Sequence, residues 1–173
     1  MYQVSIRRAE ADDAELLARI GAETFTQTFA AVNTPEDMRE YLASAFSTEI
    51  QAAELRNSAA TFLIASIDGE AAGYAKLDET VAPDDVAGER PVELVRFYVE
   101  ARWHGRGVSH SLMKEVVSAA IRAGYDVIWL GVWEMNPRAI AFYKKWGFEV
   151  VGKKSFKLGA DVQTDLVMTR ALE

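Results

Sequence analysis

The sequence predicts a mixed α/β domain whose sheet is built mostly from antiparallel neighbours and takes in one parallel strand through a helical crossover. Two stretches carry that reading. Residues 61–67 and 71–77 are apolar, strand-like runs joined by Asp68-Gly69, a pair that favours a tight hairpin. Residues 92–99 form another such run, followed by a turn with Gly105 and Gly107 and then by Val108, Leu112, Met113, Val116, Val117, Ala120 and Ile121 at helical spacing. With the apolar run at 126–132, this is a βαβ unit, and such a crossover sets its two strands parallel. The 173 residues, 50% apolar and 26% charged, suit one domain over 1–173 with room for a core.

In chain order, residues 4–8 alternate as a short strand. Residues 11–22 carry Leu16, Leu17 and Ile20 on one helical face, with Asp12, Asp13 and Glu15 near the start, where the helix dipole favours acids. Residues 24–32 (TFTQTFAAV) read as the end of that helix followed by a loop. Thr34-Pro35-Glu36-Asp37 starts the next helix, with Thr as N-cap, Pro in the first turn and acids behind it; Met38, Tyr41, Leu42 and Phe46 form its apolar face. Residues 47–56 can form a further short helix. After the hairpin, the polar stretch 78–91 is a surface loop, so 92–99 returns as the third strand of a meander. Gly124 ends the helix that follows the glycine turn. Asn136-Pro137 caps and starts the last helix, with Ala139, Ile140, Tyr143 and Trp146 inward and Gly147 as terminator; residues 148–151 and 164–168 finish as strands.

The composition excludes several chemistries. The chain has no cysteine, so disulfides and thiolate catalysis are out, and its two histidines, His104 and His110, argue against a zinc site. No metal is expected. The N-terminus lacks the apolar core of a signal peptide and no run is long enough for a membrane span, so a cytoplasmic location is expected. A net charge of -7 disfavours nucleic acid and attracts small cations. The partners expected are a small-molecule amine, neither nucleic acid nor membrane, with a homodimer left open.

The turn Arg102-Trp103-His104-Gly105-Arg106-Gly107 is a candidate phosphate cradle. The first amides of the following helix lack intrahelical partners and carry the positive end of its dipole, and Arg102 and Arg106 add charge beside them. Glycine there takes positive φ freely and lets a ligand approach the backbone. The turn fits neither a Walker loop, which needs GxxxxGK with Ser or Thr, nor a GxGxxG fingerprint. A plain solvated turn is the alternative.

This turn resembles the (Gln/Arg)-x-x-Gly-x-(Gly/Ala) signature of the GNAT superfamily of N-acetyltransferases, matched by Arg102, Gly105 and Gly107. A second block, Asn136, Ala139, Phe142, Tyr143, Gly147 and Phe148, resembles the superfamily's Asn-x-x-Ala-x-x-Phe-Tyr-x-x-x-Gly-Phe motif, and the element order matches over nearly the whole chain. The resemblance implies a central, mostly antiparallel sheet of six to seven strands with helices on both faces. It also implies an acetyl coenzyme A site where the fourth and fifth strands splay apart. Cofactor contacts carried over are Phe97, Tyr98 and Val99; Arg102, His104, Gly105, Arg106, Gly107, Val108 and Ser109; and Asn136, Phe142, Tyr143 and Lys145. Arg102 stands where glutamine is common.

Amine acetylation requires a base for an ammonium and a donor for the departing thiolate. In the superfamily the tyrosine at the position of Tyr143 donates to sulfur. Glu93 is the candidate base, directly or through water; a burial-raised pKa would suit it. Its alternative is a solvent-facing position or a pair with Arg96. His104 reads as a backbone or phosphate contact, and His110 as exposed. The runs WLGVWEMNPRAIAFYKKWGF, Phe156, Gly159, Asp161 and Gln163-Thr164-Asp165, with the early ETFTQTF, resemble the Pai-type spermidine and spermine N-acetyltransferases of bacteria. That implies a polyamine acceptor in a groove of carboxylates and aromatic walls, for which Glu23, Phe25, Phe29, Glu40 and Glu134 are the candidates. Glu23 and Glu40 have the ordinary alternative of solvated helix residues. Another small amine, a peptide N-terminus, or noncatalytic acyl coenzyme A binding are the other functions open.

Overall fold

In the computed structural model, residues 2–173 are described. One seven-stranded sheet runs in the order β1-β2-β3-β4-β5-β7-β6, with strands β1 (Val4–Arg8), β2 (Thr61–Ile67), β3 (Glu70–Asp78), β4 (Pro91–Val99), β5 (Val127–Trp133), β6 (Glu149–Leu158) and β7 (Asp161–Ala171). Only the β4–β5 pair is parallel. The helices are α1 (Ala14–Phe29), α2 (Pro35–Ala45), α3 (Thr48–Leu55), α4 (Val108–Arg122) and α5 (Pro137–Lys145). On one face, α4 buries Leu112, Met113 and Val116 against Leu63, Ala75, Leu94 and Ile128. The other face is covered by α1, α2 and α3 through two smaller clusters around Leu17, Ile20 and Tyr74, and around Phe25, Met38 and Phe46. At about 1.5–3 kcal/mol per fully buried large side chain, this double-sided burial is the main force holding the sheet.

Local signals act where expected. Thr34 and Ser47 accept the amides of Asp37 and Ile50 at 3.1 and 3.2 Å as caps of α2 and α3. Asp68 and Gly69 take φ of 50° and 86° in the β2–β3 turn.

Three expectations need correction. Helix α1 continues to Phe29, through most of the stretch 24–32 expected to hold the helix end and a loop, and a short 3-10 turn, Ala30–Val32, takes the place of the loop. Two of the α1 threonines are satisfied within the helix, Thr26 and Thr28 donating to the carbonyls of Ala22 and Thr24 at 2.7 and 3.2 Å, while Phe25 gains core burial; packing overrides propensity here. The last two strands are 10 and 11 residues long, because the alternation of polar and apolar side chains continues through the hairpin at Gly159. Ile121 is 44% exposed, beyond the edge of the stripe that ends at Ala120.

The feature that positions the site is in β4. Lys76 lies opposite Arg96 and Leu77 opposite Leu94, which leaves Val95 without a partner as a bulge. A bulge bends its strand and adds twist. Pairing of β4 with β5 stops accordingly: Pro91, Val92 and Glu93 face Val127, Ile128 and Trp129, and beyond these residues the two strands separate.

Candidate active site

The gap between β4 and β5 opens into a cleft of about 740 Å³ that runs from the glycine turn to the space under α1 and α2. Beyond Glu93 the edge of β4 that faces β5 has no neighbouring strand. Backbone groups so released require another partner, and an extended ligand between the strands supplies one.

At the turn, Gly105 and Gly107 take φ of 76° and 84°. Gly107 is the N-cap of α4 and provides no side-chain cap, whereas Thr34, Ser47 and Asn136 cap α2, α3 and α5 with their side chains. The first-turn amides of α4 therefore stay available for an anion. Val108 is buried and can offer only backbone; Ser109 lines the cleft. His104 makes a 2.8 Å contact from Nε2 to the carbonyl of Val99, which ties the turn to the end of β4. His110 packs against Trp146, ring centroids 5.0 Å apart. Arg102 is held by Glu100 and Glu70, each at 2.7 Å, and Arg106 stacks on Tyr2 and Trp103 and donates to the Tyr2 hydroxyl. Glu100, 4% exposed, also receives Arg19 of α1 at 3.1 Å. Much of the positive charge of Arg102 is thus spoken for by carboxylates.

Phe97, Val99, Asn136, Phe142 and Tyr143 line the cleft. Asn136 uses its side-chain oxygen to cap α5 at Ala139, 3.2 Å away. Tyr143 is packed edge-on against Phe97, Phe142 and Phe148. Burial pushes its phenol well above the ordinary value, so it keeps its proton near neutral pH and stands ready as a hydrogen-bond donor to negative charge that forms beside it. The Tyr98 ring meets Tyr74 and Phe46, which leaves its backbone for the cleft. Lys145 is exposed at the end of α5 and does not line the cleft.

The end of the cleft under α1 and α2 differs from the sequence expectation. Phe25 and Phe29 line it, stacked with centroids 4.4 Å apart, but Glu23, Glu40 and Glu134 do not. Glu23 pairs with Arg19 at 3.2 Å, Glu40 is exposed on α2, and Glu134 lies 3.7 Å from Lys153. Helical spacing turns Glu23 and Glu40 outward when Phe25 and Met38 turn in. Glu93 lines the cleft and receives the Thr80 hydroxyl at 2.6 Å. Arg96 is not its partner: Arg96 makes two bonds of 2.6 and 2.9 Å to Glu54.

Sequence reasoning missed Asp165, Lys154, Thr24, Tyr41 and Trp133, all in the cleft wall. Asp165 is 7% exposed, and burial, partly offset by the nearby Lys154, raises its carboxyl to about 6. The only signal was its place in Gln163-Thr164-Asp165.

Residues 22–148 match the acetyltransferase (GNAT) family, and the chain belongs to it. An uncharacterised N-acetyltransferase of Lactobacillus delbrueckii subsp. lactis is 33% identical over 167 residues, 96% of each chain. The L-amino acid N-acetyltransferase of Escherichia coli is 30% identical over 158 residues, 88% of this chain and 86% of the relative. The crystal structure of the PaiA N-acetyltransferase of Thermoplasma acidophilum in complex with coenzyme A shares the fold, with a TM-score of 0.78 at 22% identity over 98% of this chain and 99% of that one. The protein is an acetyl coenzyme A dependent N-acetyltransferase.

Proposed function

We propose that the protein acetylates the primary amine of a small molecule by direct transfer within a ternary complex. The observation that carries this reading is the divergence of β4 from β5 beside the half-buried Tyr143 in the cleft wall. The first-turn amides of α4 with Gly105 and Gly107 would hold the pyrophosphate of acetyl coenzyme A, and the backbone of residues 97–99 its pantetheine arm. The cofactor supplies the acetyl group as a thioester. Tyr143 acts as the acid toward sulfur, and a carboxylate on the acceptor face, Glu93 or Asp165, takes the proton of the acceptor ammonium.

For the acceptor, an α-amino acid is the reading the site supports better. Lys154 places an ammonium in the wall of the acceptor end, where it complements a carboxylate and repels a polycation. The similarity to an L-amino acid N-acetyltransferase points the same way. The polyamine reading keeps the aromatic walls of Phe25 and Phe29 and the carboxylates of Glu93 and Asp165, but it loses Glu23, Glu40 and Glu134. Thiol release from acetyl coenzyme A, measured with L-phenylalanine, L-methionine and spermidine, tests both. A higher kcat/KM for the amino acids is expected. Preference for spermidine restores the polyamine, and no turnover with any of the three removes both proposed acceptors.

A further inference from the structure

We infer that Asp165 of β7 is the residue that docks the acceptor ammonium and takes its proton. This rests on the proposed transfer to an amine and assigns the base within it. Trp133 of β5 and Lys154 of β6 both lie opposite Asp165, so all three side chains leave the sheet on one face, the face covered by α1 and α2. Gly131, two residues before Trp133, shares that face. A Cβ there would stand 3.1 Å from Oδ2 of Asp165 and 3.1 Å from Nζ of Lys154. The absent side chain of Gly131 makes room for the stem of Lys154, on whose Cε a Cβ would press, and so brings a carboxylate and an ammonium over β5, just past the point where β4 parts from it.

Glu93 is the competing carboxylate. One of its oxygens already accepts from Thr80 at 2.6 Å, and it sits where β4 and β5 are still paired, opposite Trp129. Asp165 forms no ion pair within 4.0 Å among the described residues and is nearly enclosed, so an incoming ammonium meets a desolvated carboxylate. A second orphan faces the same space: the hydroxyl of Thr24 on α1 is buried, without a partner, and lines the cleft. An ammonium has three donors, which Asp165 and Thr24 can share. The charged or titratable groups that line this cleft with Asp165 are Lys154 on β6, Glu93, Arg96 and Tyr98 on β4, His104 in the glycine turn, Tyr41 on α2, and Arg138 and Tyr143 on α5. Lys154 holds the Asp165 carboxyl down, while burial pushes it up to about 6.

The proton balance closes. Asp165 takes one ammonium proton, and the freed nitrogen lone pair forms the C–N bond to the acetyl carbon as the C–S bond breaks. Tyr143 gives its proton to the sulfur and is restored by the second proton leaving nitrogen. Asp165 releases its proton to water, so one proton reaches solvent per turnover.

The test uses the full chain. Wild type, Asp165→Asn, Lys154→Met and Glu93→Gln are assayed by thiol release across pH 5–9 with L-phenylalanine and spermidine. Wild-type kcat/KM should fall below a limb near pH 6. Asp165→Asn should lower kcat/KM on the order of 10²-fold and abolish that limb. Lys154→Met should move the limb upward, and Glu93→Gln should retain it. Independently of turnover, the ¹³C carboxyl resonance of Asp165, assigned by its loss in Asp165→Asn, is titrated in the coenzyme A complex alone, with L-phenylalanine and with spermidine. The amine should shift that resonance and lower its midpoint. An unchanged limb in Asp165→Asn, or a resonance blind to both amines, overturns the assignment. If no amine is acetylated but the resonance still responds, the transferase reading fails while Asp165 remains the amine-docking group.

Discussion

Lys154 and Asp165 lie directly opposite one another in the β6–β7 hairpin, and both reach over Gly131, whose missing side chain leaves room for the Lys154 stem. A Cβ at Gly131 would press on Cε of Lys154 and stand 3.1 Å from Oδ2 of Asp165. Lysine's flexible stem can swing away; the short aspartate on a paired strand cannot. Gly131→Ala should therefore keep the fold but narrow the acceptor opening, raising the amine KM about tenfold, which is roughly 1.4 kcal/mol. Steady-state kinetics at saturating acetyl coenzyme A check this, and an unchanged amine KM would place the acceptor elsewhere.

Asp165 should also weaken the fold at the pH where the enzyme works. A carboxyl raised from 3.8 to about 6 binds its proton more tightly when folded. Both states are protonated below pH 3.8, so no penalty exists there; it grows as pH rises toward 6 and is complete above. At about 1.4 kcal/mol per pH unit the difference is roughly 3 kcal/mol, which solvent at the open side of the cleft screens to on the order of 1–2 kcal/mol. Asp165→Asn should thus be more stable than wild type at pH 7.5 and equal to it near pH 3.8. Urea unfolding at the two pH values decides; a variant less stable at pH 7.5 contradicts a desolvated charge.

Tyr143→Phe should lower kcat on the order of 10²-fold with little change in acetyl coenzyme A affinity or Tm. Its ring contacts with Phe97, Phe142 and Phe148 survive the substitution, and only the hydroxyl is lost. Single-turnover kinetics with saturating cofactor measure the step directly. Wild-type kcat would leave the thiolate to some other donor.

How far the sequence could be read depends on what each signal measures. Asp68-Gly69 and Thr34-Pro35 act within a few residues, so the hairpin and the start of α2 were legible. The two motif blocks located the glycine turn and α5. The threonines after residue 22 misled because their favourable packing lies across the chain, in the contacts of Phe25 with Phe29 and Tyr41. The residues proposed for the acceptor were the hardest. Asp165 alternates with Leu166 and Met168, the pattern of a strand with a solvent face, and only the cover of α1 and α2 turns that face into a cleft. Glu23 and Glu40 failed in the opposite way: they lie on the right helices but on the outer side.

The glycine turn provides the last test, because its two glycines can be separated from steric fit. A Cβ at Gly107 would meet nothing within 4 Å, so crowding is no obstacle; the cost lies in φ of 84°, which a β-branched residue resists by about 1–2 kcal/mol. Gly107→Val should therefore lower Tm slightly if the turn holds its shape. If the turn relaxes instead, the first amides of α4 swing away from the cleft and lose their convergence on an anion. Either way the site for pyrophosphate is less well organised in the variant. Calorimetric titration with coenzyme A should show affinity weakened at least tenfold, roughly 1.4 kcal/mol. Wild-type binding should itself weaken as salt rises, because charge–charge attraction is screened over about 8 Å at physiological ionic strength. Coenzyme A bound by Gly107→Val as tightly as by wild type would remove the pyrophosphate from this turn.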